Sequence, residues 1–332
     1  MSLTRRDLGL GLLAATTLVA PLAPRAAHAQ GEAYPGSRPV TLVVAWAAGG
    51  STDFVARVLA QQLSKELNGN VVVDNRPGAS GTIGHASVAR AKPDGYTLLL
   101  GVNSTYAMSR HLFPQRGYDD EKAFVGIGRV AISPIFLCVN PKLGVKDIPG
   151  LVAKAKEKPG ALSYGSSGAG SSAHLATELF LRQAGIEIQN VTYRGGAPAV
   201  QALMTNEVQV AFVDAVTALP MMASGQIVAL GVSTPERNPL APEIPTIAEQ
   251  GFPGFEATSD FALMAPAGTP EPIIRKLAAA LQSAMKDQEM LAKLQQNAIV
   301  PTPGTPEAFP AYLTAESNKW GELIKSRGIT LE

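Results

Sequence analysis

Val40-Thr41-Leu42-Val43-Val44-Ala45-Trp46 is a β-branched, nearly continuous apolar run, and Ala47-Ala48-Gly49-Gly50-Ser51 follows it directly. An apolar run of this kind, bounded by a glycine turn, has the pattern of a strand buried on both faces, as in a parallel sheet covered by helices. Residues 52–67 then place Val55, Val58, Leu59 and Leu63 on one helical face. Asn68-Gly69 stops that helix. A second strand is expected over 71–74, a turn at Asn75-Arg76-Pro77-Gly78, a small-residue helix over 82–91 and a third strand over 96–102. The unit reads β-α-β-α-β. Right-handed crossovers turn it into a parallel sheet with strand order 2-1-3.

The same grammar returns downstream. Strands are expected over 162–166, 188–193, 208–214 and 227–233, with helices over 171–184, 197–205 and 217–224 between them. Two apolar runs, 134–141 and 261–266, are placed to carry the chain from one unit to the other and back. The tail reads as helices. Thr269-Pro270-Glu271 and Thr305-Pro306-Glu307 both have the N-cap, proline, acidic-first-turn signature of a helix start. The chain is therefore expected to be an α/β protein of two doubly wound lobes. Residues 38–135 plus 262–332 form lobe 1 and residues 136–261 form lobe 2.

Arg5 and Arg6, an apolar stretch from Leu8 to Leu22, and the small-x-small triplet Ala27-His28-Ala29 read as a signal peptide over 1–29. Thr4-Arg5-Arg6-Asp7-Leu8 also resembles a twin-arginine signal, so export by either the Sec or the twin-arginine route is open. The expected location is the periplasm. Lys and Arg number 28 and Asp and Glu 27, a net charge of +1. With no basic run in view, that balance argues against a nucleic-acid binder. The single cysteine, Cys138, lies among Ile135-Phe136-Leu137-Cys138-Val139 and is read as a small buried hydrophobe.

In a doubly wound sheet, ligands bind beyond the carboxyl ends of the strands at the switch point. In the first unit that region holds Trp46, Ala48, Gly49, Gly50, Ser51, Thr52, Asp53 and Ser104. In the second it holds Ser167, Ala169, Ser171, Ser172, Arg194 and Asp214. Glycines let backbone N–H groups approach a ligand, and helix N-termini favour anions. Two such sets of loops describe a clamp for a small anion. Gly49, Gly50 and Ser51 are expected to offer N–H groups, Asp53 to fix the first loop, and Arg194 to attract a charge at longer range. Trp46 has two readings, a pocket wall or a ring packed into the interlobe core.

Other chemistries have less support. Gly168-Ala169-Gly170-Ser171-Ser172-Ala173 fits a dinucleotide-binding G-x-G-x-x-A turn, which makes an exported dinucleotide-dependent enzyme the rival reading. There is no P-loop and no G-x-S-x-G elbow. His85, His111 and His174 are widely spaced, without a metal-ligand pattern. No catalytic residue, metal site or cofactor is therefore expected. His174 is placed to orient the turn at Ser171 and Ser172.

Several motifs together resemble a known family. They are Arg38-Pro39-Val40-Thr41-Leu42-Val43-Val44, Ala48-Gly49-Gly50-Ser51-Thr52-Asp53, Val73-Asp74-Asn75-Arg76-Pro77-Gly78, Pro93-Asp94-Gly95-Tyr96-Thr97-Leu98-Leu99, Gly168-Ala169-Gly170-Ser171-Ser172-Ala173-His174-Leu175, Tyr193-Arg194-Gly195-Gly196-Ala197-Pro198-Ala199, Pro245-Thr246-Ile247-Ala248-Glu249 and Ala265-Pro266-Ala267-Gly268-Thr269-Pro270. In this order the chain resembles the Bug-type (TctC-like) extracytoplasmic solute receptors of tripartite tricarboxylate transporters, from about Tyr34 to the C-terminus. The resemblance implies a type II periplasmic-binding fold and a carboxylate ligand held largely by backbone amides and ordered waters in an interlobe cleft. It also implies a monomer that serves the membrane subunits of such a transporter. Two departures touch the cleft. Ala45-Trp46 stands where the family often has Pro-Phe, and Phe212 is followed by Val213-Asp214 where an Asp-Asn pair is common.

Overall fold

The computed structural model describes residues 34–113, 116–119 and 122–329. The signal peptide read at 1–29 lies outside the described residues. The elements of the first unit are β1 (Val40–Val44), α1 (Ser51–Leu67), β2 (Val71–Asn75), α2 (Thr82–Ala89) and β3 (Thr97–Val102), and the long strand β4 (Phe124–Val139) follows. Then come α3 (Ile148–Glu157), β5 (Ser163–Ser166), α4 (Ser172–Ala184), β6 (Gln189–Thr192), α5 (Gly196–Thr205), β7 (Val210–Asp214), α6 (Ala215–Ala223) and β8 (Val228–Val232). The chain ends with β9 (Thr258–Pro266), α7 (Glu271–Ala284), α8 (Gln288–Gln295), β10 (Val300–Pro301) and α9 (Phe309–Arg327).

The strands run β2-β1-β3-β9-β4-β7-β5-β6, with β8 and β10 also paired to β4. β1 is parallel to both β2 and β3. β5 is parallel to both β6 and β7. Each half therefore holds the same 2-1-3 arrangement that the apolar runs predict, followed by an antiparallel neighbour: β9 in the first half and β4 in the second.

The apolar pattern accounts for the packing. Val40, Leu42 and Val44 are fully buried in one core cluster with Val55, Leu59 and Leu63 of α1. Burying a side chain of that size contributes about 1.5–3 kcal/mol. The helix stops at Asn68, which takes the left-handed conformation (φ 50°). In the second half, Tyr164, Leu175, Phe180 and Val210 form another cluster, and Trp320 of α9 is buried among them. α7 and α8 pack on α1. The tail thus supplies helices to the first half and a tryptophan to the core of the second. Cys138 is fully buried, which pushes its thiol pKa up and keeps it neutral.

β4 is longer than the 134–141 run suggests. Its first part carries Gly126 and Gly128, which weaken a strand signal. Close packing requires both glycines. A Cβ at Gly126 would lie 2.1 Å from the Phe309 ring, and one at Gly128 2.4 Å from the Gly304 carbonyl oxygen. Thr269 does not cap α7. Its hydroxyl donates to the Pro266 carbonyl at 2.7 Å, and Pro270 takes the cap position. The chain crosses between halves twice, through β4 near Ile135 and through residues 233–257. The crossings are stitched together, since Ile135 N donates to Ser233 Oγ at 3.2 Å and its carbonyl accepts Ser233 N at 3.0 Å. Ser233 Oγ in turn donates to the Ala257 carbonyl.

Candidate functional site

The ends of β1, β3, β5, β6 and β7 converge on a cavity of about 180 Å³. Trp46, Ala48, Gly49, Gly50, Ser51, Thr52 and Ser104 line it from the first half; Ser167, Ser171, Ser172 and Asp214 line it from the second. Four helices begin at its wall: α1 at Ser51, α4 at Ser172, α5 at Gly196 and α6 at Ala215. The first N–H groups of a helix have no partner within it, and the helix dipole makes that end positive. The wall is therefore built to accept negative charge without a cationic side chain. Asp214 is the only ionisable residue among those lining it.

The first loop is held from behind. Asp53 is buried, and its Oδ2 accepts Gly49 N at 3.0 Å and Arg57 Nε at 3.0 Å. Arg57 Nη2 continues to Asn75 Oδ1 at 3.2 Å, and Asn75 Nδ2 donates to the Trp46 carbonyl at 3.1 Å. Burial alone would raise the Asp53 pKa, but these bonds outweigh it and hold the pKa below the usual carboxylate range. Asp53, expected among the ligand-binding residues, thus stands outside the cavity wall and bonds the loop from behind. Gly49 lines the cavity, yet its N–H is taken by Asp53, so the free donors begin at Gly50.

The second loop is a capped helix start. Ser171 Oγ accepts His174 N at 3.2 Å, and Ser171 N donates to the Gly168 carbonyl at 3.0 Å. Gly170 N donates to His174 Nδ1 at 2.9 Å, so the imidazole does orient this turn. Burial lowers the His174 pKa, in keeping with a neutral ring that accepts at Nδ1. Ala169 does not line the cavity, because the turn directs Ser167 and Ser171 inward instead.

Side-chain bonds join the halves beside the cavity. Ser51 Oγ donates to Asp214 Oδ1 at 2.5 Å and also lies 3.1 Å from Ser133 Oγ on β4. Ser172 Oγ donates to Asn103 Oδ1 at 3.3 Å. Asn103 Nδ2 is tied to the Thr258 carbonyl at 3.0 Å and to Glu316 Oε2 at 3.3 Å. Asp214 also caps α6, accepting Thr217 N at 3.3 Å. Burial raises its pKa against the lowering effect of the Ser51 and Thr217 bonds.

Arg194 lies outside the wall. Its side chain is exposed, while its neighbours Gly195 and Gly196 line the cavity. The Arg-Gly-Gly turn was legible in the sequence, but its glycines supply the surface and its cation does not. Ala197 and Pro198 at the start of α5, Ile135 on β4 and Ser259 on β9 also line the cavity without having been expected there. Trp46 lines the cavity and packs against the first core cluster as well. Its indole N–H has no hydrogen-bond partner. Ser104 Oγ is likewise buried without one. Among the described residues, no group of His, Cys, Asp and Glu side chains could hold a metal ion.

Residues 55–329 match the profile of the tripartite tricarboxylate transporter family receptor, TctC. Protein BugT of Bordetella pertussis is 34% identical over 333 residues, spanning 100% of both chains. Among solved structures, Rpa4515 of R. palustris with adipate is 35% identical, with a TM-score of 0.86, covering 90% of this chain and 100% of its own. MatC from Rhodopseudomonas palustris with bound malate is 31% identical, with a TM-score of 0.81, covering 86% of this chain and 99% of its own.

Proposed function

The chain belongs to the tripartite tricarboxylate transporter receptor family, and from that premise we propose that it captures a small carboxylate in the periplasm and delivers it to the membrane subunits of such a transporter. Its fold is the type II periplasmic-binding fold. The proposed lobes are residues 38–135 plus 262–332 and residues 136–261. Their support is that β4 changes partners from β9 to β7 between Pro134 and Ile135. The protein acts as a monomer after export by the Sec or twin-arginine route, and it binds its ligand without converting it.

One observation carries this reading. Four helix N-termini meet at a cavity whose wall includes no Lys, Arg or His. Backbone dipoles are the wall's source of positive potential, and they suit a carboxylate. Adipate is bound by one relative and malate by another, so di- and tricarboxylates, aromatic acids and amino acids form the set to test. No observation favours the dinucleotide reading. The Gly168–Ala173 turn is closed by its own bonds to His174 and Ser171.

The test is a thermal-shift and calorimetry screen of the mature protein against these acids and against nucleotides. Binding to the native state raises the melting temperature by mass action. A carboxylate recovered unchanged after long incubation supports the proposal. Stabilisation by nucleotides alone, or turnover of the bound acid, overturns it.

A further inference from the structure

We infer that Asp214 couples ligand capture to a proton. It takes one proton from solvent as a carboxylate enters the cavity, and the resulting acid donates a hydrogen bond to that carboxylate. The inference rests on the carboxylate reading above and adds a specificity-determining residue to it.

The geometry poses the problem that this solves. The cavity attracts anions through four helix N-termini, yet the one ionisable side chain on its wall is itself an acid. Asp214 is not at the rim. Ser51 Oγ, on the first turn of α1, donates to its Oδ1 at 2.5 Å. A Cβ built on Gly196, the first residue of α5, would stand 3.8 Å from its Oδ2. The carboxyl therefore sits among the donors that a ligand carboxylate would use. Two ionised carboxylates sharing such a site repel, and one of them then holds a proton.

The surroundings supply no cation to relieve that repulsion. α1 presents Ser51, while its Asp53 is turned away onto Gly49 and Arg57. β4 presents Ser133, within 3.1 Å of Ser51 Oγ. α6 presents Thr217, whose hydroxyl lies 3.3 Å from both carboxyl oxygens. α5 presents the glycine of its first turn. The nearest cation in sequence on that side, Arg194, is exposed and off the wall. Burial already raises the Asp214 pKa, and an anionic ligand raises it further. The sign follows: the protonated receptor is the form that binds, so affinity falls as pH rises through the pKa of the free protein.

A ligand with an ammonium group would instead leave Asp214 ionised, which sets the opposite outcome. Calorimetry of the wild type with adipate and with malate, in buffers of different ionisation enthalpy, counts protons directly and needs no variant. We expect close to one proton taken up per ligand near neutral pH. The dissociation constant should rise by up to about tenfold per pH unit once the pH exceeds the Asp214 pKa of the free protein. Asp214→Asn keeps a cap oxygen and adds a permanent N–H donor, so it should bind with no proton uptake and no pH dependence. Its melting curve checks the fold. Wild-type binding with no proton taken up and a flat pH profile overturns the role of Asp214 and leaves the carboxylate reading standing. If neither acid binds wild type or variant at any pH, the carboxylate reading fails for these probes and the inference falls with it.

Discussion

Asp53 Oδ2 accepts the backbone N–H of Gly49 at 3.0 Å, so a residue of the first helical turn fixes the loop that leads into it. Arg57 holds the same carboxylate from the other side, with Nη2 2.9 Å from Oδ1. Asp53→Ala removes both attachments. Hydrogen bonds to a charged group contribute about 1.5–3 kcal/mol, and loss of the loop's anchor should weaken carboxylate binding roughly tenfold or more. The effect on stability has a definite pH window. The folded pKa of Asp53 is depressed, so its contribution is complete above the unfolded value of about 3.9 and is lost as pH falls through the folded value. Melting curves of the wild type and Asp53→Asn should differ at neutral pH, begin to approach each other below about pH 4 and meet only below the depressed folded pKa. A gap that persists undiminished into acid would show that the charge is not what holds the loop.

Gly49 and Gly50 respond differently to substitution. Gly49 has φ +93°, a conformation that L residues rarely adopt, whereas Gly50 is extended at φ −94° and ψ 178°. A Cβ at Gly50 would meet nothing within 4 Å. Gly50→Val should therefore fold and melt near the wild-type temperature. Its branched side chain would stand over the free N–H groups of α1, and affinity for adipate or malate should fall at least tenfold, about 1.4 kcal/mol. Gly49→Val should lower the melting temperature instead. Equal affinities for wild type and Gly50→Val in calorimetry would remove this loop from the binding site.

Ser233 ties the two crossings together. Its hydroxyl accepts Ile135 N and donates to the Ala257 carbonyl in a fully buried setting. Ser233→Ala leaves a buried N–H and a buried carbonyl short of a partner, at a cost of about 1–3 kcal/mol. Denaturant titration should report that loss with an unchanged slope. A loss below about 0.5 kcal/mol, the usual range for surface changes, would mean that the stitch contributes little.

Trp46 offers an optical readout. The other tryptophan, Trp320, is buried on α9 and donates to Glu316 Oε2 at 3.0 Å, away from the cavity wall. In a Trp320→Phe background, a bound carboxylate should quench or shift the emission of Trp46. If calorimetry proves binding while that emission stays constant and Trp46→Phe binds equally well, the indole serves the core alone.

The parts of this architecture that were legible in the sequence share a cause. Val40–Val44 and the face Val55, Val58, Leu59 and Leu63 announce themselves by period, and the Gly-Ser turns by composition. Both are local properties. α3 was not anticipated, although Asp147 caps it and Pro149 sits in its first turn, the cap-and-proline part of the signal read at 269–271 without its acidic residue. The front of β4 was masked by glycines that exist to admit Phe309 and the Gly304 carbonyl from elsewhere in the chain. Side-chain direction was the least legible. Nothing in Arg194-Gly195-Gly196 says that the arginine faces solvent and the glycines face the cavity. Ser259 and Ile135 reach the wall only because the halves are joined as they are.

That joining bears on how the molecule comes apart. The 16 residues of β4 pair with β9 over their first part and with β7 and β8 over their last. A strand cannot leave one half without stripping hydrogen bonds from the other, and Trp320 on the terminal helix is anchored in the far core. Unfolding of the two halves is therefore coupled through β4. Although each repeats a complete 2-1-3 unit, cutting the chain at the crossing near Pro134 would leave the N-terminal fragment without β9, the strand between β3 and β4.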